Sequence, residues 1–380
     1  MSLRSDILRG SALSFAEKTP AGYKGKIINM GIGEPSFATH PLIINKAFEE
    51  MKNGYTHYGS NQGIEELRQS ICAKLRSQNS LIYGPSEIIV TPGCKQAVFE
   101  AVMSIVNQGD TVIIFTPCWP SFIDIVKLAG GIPYFVDTLV QEGLEERIKG
   151  LTSLNPKLVI INSPNNPSGT ILSKSILTLL ADEAKSRNFF VLSDEIYERI
   201  TFEESATSIA SLGEIRDRVI TINGFSKTFA MTGWRLGYAA APTQVIQRMM
   251  KFQQHTITCV PPFIQFAGQT ALTEPAVAEY VTLMINEYKS RRDLMASRLR
   301  GNSKFYFTLP KATFYLFAEF RHKGMNSTEF AKYLLSDLGI QVAPGEMFGD
   351  YSNMVRLSFS VSAAEIEEAI NRIESAMMTN

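Results

Sequence analysis

Short β-branched and aromatic runs recur along the first two thirds of the chain, and longer amphipathic stretches separate them. The runs cover Glu87 to Thr91, Thr111 to Phe115, Ile132 to Val136, Lys157 to Asn162, Phe189 to Ser193, Val219 to Ile222 and Gly237 to Ala240. This rhythm predicts an α/β fold with a mostly parallel central sheet and helices on both faces. Several runs end in turn residues: Thr91-Pro92-Gly93, Thr116-Pro117, and Ser163-Pro164-Asn165-Asn166-Pro167-Ser168-Gly169. In open α/β sheets, ligands gather at such carboxyl ends.

Beyond about residue 275 the pattern changes to a long polar helix through Arg298. Strands follow near Phe305 and from Phe314 to Phe320, with helices near Ser327 to Leu338 and Ala363 to Met377. A chain of 380 residues exceeds the usual size of one domain. The expected division is a large domain over 41–280 and a smaller α/β domain over 281–380, with segment 1–40 packing on the smaller one. No internal repeat or low-complexity tract interrupts this plan.

Charge narrows the partners. The 37 basic residues cancel the 37 acidic ones, so no bulk field favours nucleic acid or an anionic membrane, and a small-molecule substrate fits better. No apolar run approaches the roughly 20 residues that cross a bilayer. Cys72, Cys94, Cys118 and Cys259 form no CxxC pair, and the N-terminus has no apolar leader; both features point to the cytoplasm. His40, His57, His255 and His322 are scattered, without metal-ligand spacing, so no metal is expected.

The richest segment runs from Ile222 to Tyr238, in which Lys227 follows a strand and a small-residue turn, with Ser226 beside it and Arg235 downstream. A lysine so placed either flanks a buried turn at the surface or projects its amine into a crevice. The second arrangement suits an aldehyde cofactor that bears a phosphate, since a lowered amine pKa makes a Schiff-base nucleophile. Asp194 ends an apolar strand, with Tyr197 soon after; it is either a helix N-cap or a buried carboxylate that needs a cation such as a pyridinium nitrogen. A protonated ring nitrogen would make the ring an electron sink for a carbanion. Asn166 stands in a turn that could simply join strand to helix, or could donate its amide to the phenolate oxygen of a pyridoxal ring, with Tyr197 as a second donor. The turn Gly93-Cys94-Lys95 would present backbone N–H groups to phosphate. Trp119, just past another strand, is either a core aromatic or a stacking partner for a pyridine face.

In this order the motifs resemble the class I and II aminotransferase family, the fold type I pyridoxal 5'-phosphate (PLP) enzymes. The resemblance is greatest to the subgroup that includes bacterial aspartate and prephenate aminotransferases. It runs from about Gly31 to Arg356 and rests on Gly31-Ile32-Gly33-Glu34-Pro35, the Asn-Asn-Pro-Ser-Gly turn, Ser193-Asp194-Glu195-Ile196-Tyr197, Ser226-Lys227 and Gly233-Trp234-Arg235. It implies that Lys227 binds PLP covalently and then shuttles the substrate α-proton. Asp194 would pair with the ring nitrogen, Asn166 and Tyr197 with the ring oxygen, and Trp119 with the ring face. Gly93, Cys94, Lys95, Ser226 and Arg235 would hold the phosphate. By the same resemblance Tyr58 reaches the phosphate of the neighbouring subunit, which implies a homodimer with shared sites. Arg356, in Met354-Val355-Arg356-Leu357-Ser358-Phe359, would grip the substrate α-carboxylate in bidentate fashion, helped by Gly33 and Asn166.

Three positions depart from the family pattern: Gly224 where a phosphate-binding serine is common, Cys94 where a smaller residue is usual, and Cys118 where an aromatic is common. Near the N-terminus, Gly10-Ser11-Ala12-Leu13-Ser14-Phe15 resembles the family segment that closes over the substrate side chain, so Leu13 and Phe15 are expected there. Their apolar character predicts a preference for neutral or aromatic amino acids. The expected activity is amino transfer between an L-amino acid and a 2-oxo acid. The same fold also supports lyases, cyclases and oxidases, and more remotely a non-catalytic PLP-binding regulator, for which no DNA-binding module or basic patch is apparent.

Overall fold

Strands and helices alternate along most of the protein, whose computed structural model describes Leu8 and residues 25–378. β1 (Ile28–Asn29) leads to α1 (Pro41–Lys52) and α2 (Glu65–Asn79). There follow β2 (Ile88–Thr91), α3 (Cys94–Ile105), β3 (Thr111–Thr116), α4 (Ser121–Leu128), β4 (Ile132–Asp137), α5 (Leu144–Thr152), β5 (Leu158–Asn162), α6 (Lys174–Arg187), β6 (Phe190–Asp194), β7 (Val219–Gly224) and β8 (Gly237–Ala240). Helices α7 (Thr243–Thr256), α8 (Pro262–Thr273) and α9 (Pro275–Arg300) lead to β9 (Phe305–Tyr306), β10 (Tyr315–Phe320), α10 (Ser327–Leu338), β11 (Ile340–Gln341), β12 (Ala343–Pro344), β13 (Met354–Ser358) and α11 (Ala363–Met378).

Seven strands form the main sheet in the order β2-β8-β7-β6-β5-β3-β4. β3 to β7 run parallel, as the alternation of strand and helix requires, whereas β8 runs antiparallel to both neighbours. Every residue of β5 and β7 is buried, which is the mark of a sheet covered on both faces. Alternate residues divide between those faces. Ile113, Phe115, Val159, Ile161 and Val191 pack with Leu67 and Ile71 of α2 and Leu177 and Leu180 of α6. Val112, Ile114, Leu158, Ile160 and Leu192 pack with Ala97, Val98 and Ala101 of α3 and Ile246 and Met249 of α7. β4 is an edge, so its Tyr134 and Phe135 stay exposed despite their strand composition.

A second, antiparallel sheet has the order β12-β13-β10-β9. β1 pairs with β11, so a strand near the start of the described chain lies beside elements near its end. The core under this region joins Tyr288, Met295 and Leu299 of α9 to Phe314, Tyr315, Phe330 and Leu357, and it also takes in Tyr197 from the loop after β6. The two sheets therefore meet at the carboxyl ends of β5, β6 and β7.

Gly237 opens β8 against the start of α3, where an added Cβ would lie 2.7 Å from both Cys94 N and Gly93 C. Backbone cannot yield there as a flexible side chain could. Gly237→Ala is expected to lower stability by about 1–3 kcal/mol, seen as a lower urea midpoint with an unchanged slope.

Candidate active site

Lys227 stands just past β7, on the turn that leads towards β8, and its Nζ donates to the Gly33 carbonyl at 2.5 Å. Burial, and after it the nearby Arg356 and Arg235 cations, lower the amine from its ordinary 10.5 to about 8. A free amine is thus far more populated at neutral pH than on a surface lysine.

Asp194 is the last residue of β6, one beyond the expected strand end. No helix follows it, so it is not an N-cap; its Oδ1 instead accepts from Ile196 N at 3.2 Å in a local turn. Burial raises this carboxyl from 3.8 to about 7, a rise opposed by that hydrogen bond and by Lys227. No lysine or arginine lies within ion-pair distance of it among the described residues. A group so placed favours a cationic partner.

The Asn-Asn-Pro-Ser-Gly turn is held from within. Asn162, ending β5, accepts from Asn166 N at 2.8 Å and donates its amide to the Asp194 carbonyl at 2.9 Å. Asn166 Oδ1 accepts from Arg356 Nη1 at 2.8 Å, which leaves the Nδ2 end of the amide to face the crevice. Arg356 also donates through Nη2 to the Gly31 carbonyl at 2.6 Å, while its buried Nε has no partner. The guanidinium is 3% exposed and faces aromatic rings, Tyr315 at 4.3 Å and Phe348 at 5.0 Å, but no carboxylate of the described residues. Tyr197 Oη lies 2.8 Å from Tyr315 Oη.

At the other end, Gly93 caps α3 with φ +83°, and an added Cβ would stand 2.5 Å from Arg235 Nη2. The missing side chain admits the guanidinium to the helix N-terminus, where N–H groups and the helix dipole already favour an anion. Arg235 is anchored through Nη1 to the Thr232 carbonyl at 2.9 Å. Ser226 is buried, and its hydroxyl has no partner among the described residues. Cys94 explains one departure from the family pattern, because its Sγ fills the space beside Gly224, where an added Cβ would meet it at 2.8 Å. Lys95 Nζ lies 4.9 Å from the centroid of Trp119.

One crevice thus gathers Lys227, Asp194, Tyr197, Asn166, Arg356 and Gly33, with Gly93, Cys94 and Arg235 at the start of α3 and Ser226 beside Lys227 on the turn after β7. Tyr58 does not join it within the chain: it is 88% exposed. Leu13 and Phe15 lie outside the described residues. Sequence reasoning missed Asn162 and Tyr315. The signal for Asn162 was a polar residue closing an otherwise apolar strand; Tyr315 reads in sequence as one more core aromatic.

The residues fit PLP: a buried carboxyl without a cation, a buried guanidinium without an anion, an activated amine, and an anion cradle in which a Cβ would collide. Comparison with known proteins agrees, since residues 25–373 match the family described as aminotransferase class I and II. The chain belongs to the class I and II aminotransferases. It is a PLP-dependent transaminase of fold type I, acting on amino and 2-oxo acids. The aminotransferase is 39% identical to an aspartate aminotransferase of Pyrococcus abyssi over 99% of this chain and 98% of that one. It is 38% identical to aromatic-amino-acid aminotransferase 2 of Thermococcus litoralis, over 92% of each. Among solved structures, the aspartate aminotransferase of Thermus thermophilus with maleate superposes with a TM-score of 0.93 at 32% identity, covering 98% of both chains.

Asp194 supplies a test of this electrostatic picture. In the cofactor-free protein its folded-state pKa exceeds the unfolded value, so the folded state holds a proton that the unfolded chain has already lost, and stability falls as pH rises from about 4 to about 7. Asp194→Asn is expected to make the apoprotein more stable than wild type by roughly 2–4 kcal/mol at about pH 8 and no more stable at about pH 4, measured by urea unfolding.

Proposed function

We propose that this aminotransferase moves the amino group of a neutral or aromatic L-amino acid to a 2-oxo acid, working as a cytoplasmic homodimer with shared sites. The observation that carries the placement of substrate is Arg356, a buried guanidinium held by an amide and a carbonyl, with no carboxylate of the described residues to meet it. A substrate α-carboxylate supplies that anion, and the planar fork accepts it in bidentate geometry. Gly33 borders the same place, because Lys227 Nζ already bonds its carbonyl.

When bound, PLP supplies an aldehyde that takes up the amino group and a ring that accepts the electron pair released at the α-carbon. Lys227 would hold the cofactor covalently, and its free Nζ would serve as the base that takes the substrate α-proton and later gives it back. An amine lowered to about 8 suits both roles. Asp194 would keep the ring nitrogen protonated, Asn166 Nδ2 and Tyr197 Oη would donate to the ring oxygen, and Trp119 would cover the ring face. Gly93, Cys94, Lys95, Ser226 and Arg235 hold the phosphate.

An apolar face of α1 supports the homodimer. Ile44, Phe48 and Met51 recur at helical spacing and are exposed, continued by Tyr55 and Tyr58. A contiguous apolar face of this kind marks an interface. In the dimer, Tyr58 of the partner subunit completes the phosphate site. The four cysteines are free thiols, which supports a reducing compartment. The large domain spans 41–280 and the small one follows from 281; the pairing of β1 with β11 supports placing residues 25–40 on the latter.

One observation favours a second reading of the side-chain pocket, with a dicarboxylic donor. Lys95 Nζ has no ion-pair partner among the described residues and stands over Trp119, where it could meet a second carboxylate. The relative from Pyrococcus abyssi carries the aspartate name and that from Thermococcus litoralis the aromatic one.

Holoenzyme given an amino acid without acceptor is expected to lose its visible absorbance in one stoichiometric half-turn, with no continuous ammonia release; Lys227→Ala should show neither the band nor the turn. Across a donor panel, kcat/KM highest for aromatic or neutral amino acids supports the first reading, and aspartate ahead by about tenfold or more replaces it with the second. Sedimentation should give twice the chain mass, and Tyr58→Phe should loosen PLP without dissociating the dimer.

A further inference from the structure

We propose that Tyr315 is a positioning residue of this site: its hydroxyl donates to Tyr197 Oη and so commits the Tyr197 proton to the cofactor's ring oxygen, while its ring carries the Arg356 guanidinium. The proposal rests on the roles given above to Tyr197 and Arg356.

Tyr315 opens β10 and is fully buried. Burial raises both phenols above their ordinary 10, so at neutral pH each holds its proton. Two protons therefore meet at a single contact, the 2.8 Å between Oη atoms. Beyond that contact Tyr315 Oη packs on Gly33, whose added Cβ would lie 2.3 Å away, and it has no other hydrogen-bond partner among the described residues. If Tyr197 donated, the Tyr315 proton would be buried without an acceptor, an arrangement that folded proteins rarely keep. Donation from Tyr315 leaves the Tyr197 proton free to point into the crevice. A hydroxyl that accepts one hydrogen bond also donates the next more strongly.

The ring has a separate task. Its face lies 4.3 Å from the Arg356 guanidinium carbon, supplying negative potential where no carboxylate of the described residues does. One side chain thus touches the donor to the ring oxygen, the substrate-carboxylate grip and the Gly33 backbone that Lys227 contacts.

The test uses holoenzyme. Tyr315→Phe keeps the ring and removes the hydroxyl. The pH midpoint of the cofactor's visible absorbance is expected to rise, with proton binding about two- to tenfold tighter, because the Tyr197 donor is weakened. kcat should fall while donor KM stays within about twofold. In a Tyr197→Phe background the same change should leave the midpoint where Tyr197→Phe alone puts it, since the effect passes through that hydroxyl. Tyr315→Leu removes the ring as well and should raise donor KM several-fold; if it does not fold, the Phe pair decides the question alone. An unmoved midpoint in Tyr315→Phe, or a shift of equal size with Tyr197→Phe present, overturns the proposal. Wild type with no visible band would overturn the assignment of the site and this proposal together, whereas a normal band with an unmoved midpoint overturns only the role of Tyr315.

Discussion

The Arg356 guanidinium ties β13 of the small sheet to the carboxyl end of β5 through Asn166 and to the N-terminal region through the Gly31 carbonyl. Its partners are an amide, a carbonyl and two rings, none of them anionic. A buried cation satisfied in this way is held in place but not neutralised, so it remains available to an incoming carboxylate. The same bond turns the Asn166 amide so that its donor end faces the crevice. One side chain thus joins the two sheets and orients the Asn166 amide.

A similar logic holds around Lys227 and Asp194. Burial moves both towards their neutral forms, the amine down and the carboxyl up, and the Lys227 charge opposes the rise at Asp194 without cancelling it. Both groups are thereby set for a partner that the chain does not contain. The end of the crevice at α3 uses shape instead: Gly93 leaves room for Arg235 against the start of the helix, and Gly224 leaves room for Cys94. Where the family commonly has a serine hydroxyl, this chain has a thiol packed on glycine.

Much of this was legible in the chain. The apolar runs located the main strands because a sheet covered on both faces needs near-continuous apolar segments, and the turn residues after them marked the carboxyl ends of β2, β3 and β5. Edges and directions were less legible. β4 is as apolar as its neighbours but has a single pairing partner, and nothing in the composition of β8 reveals that it runs against β2 and β7. The alternatives open for Asp194 also closed only in three dimensions, where no helix begins after it.

Residue type and order determined by themselves that this chain builds a covered α/β sheet of the aminotransferase family, because the strand and turn patterns are local and recur along the chain. Tertiary structure decided which groups have no partner, which hydroxyl faces which, and which glycines make room for a neighbour. Tyr315 shows the difference. In sequence it is a core aromatic among others; in the fold its oxygen meets Tyr197 across 118 positions of chain and its ring meets Arg356. Burial and contact are properties of the packed state, and a side chain whose work depends on them carries no mark of it along the chain.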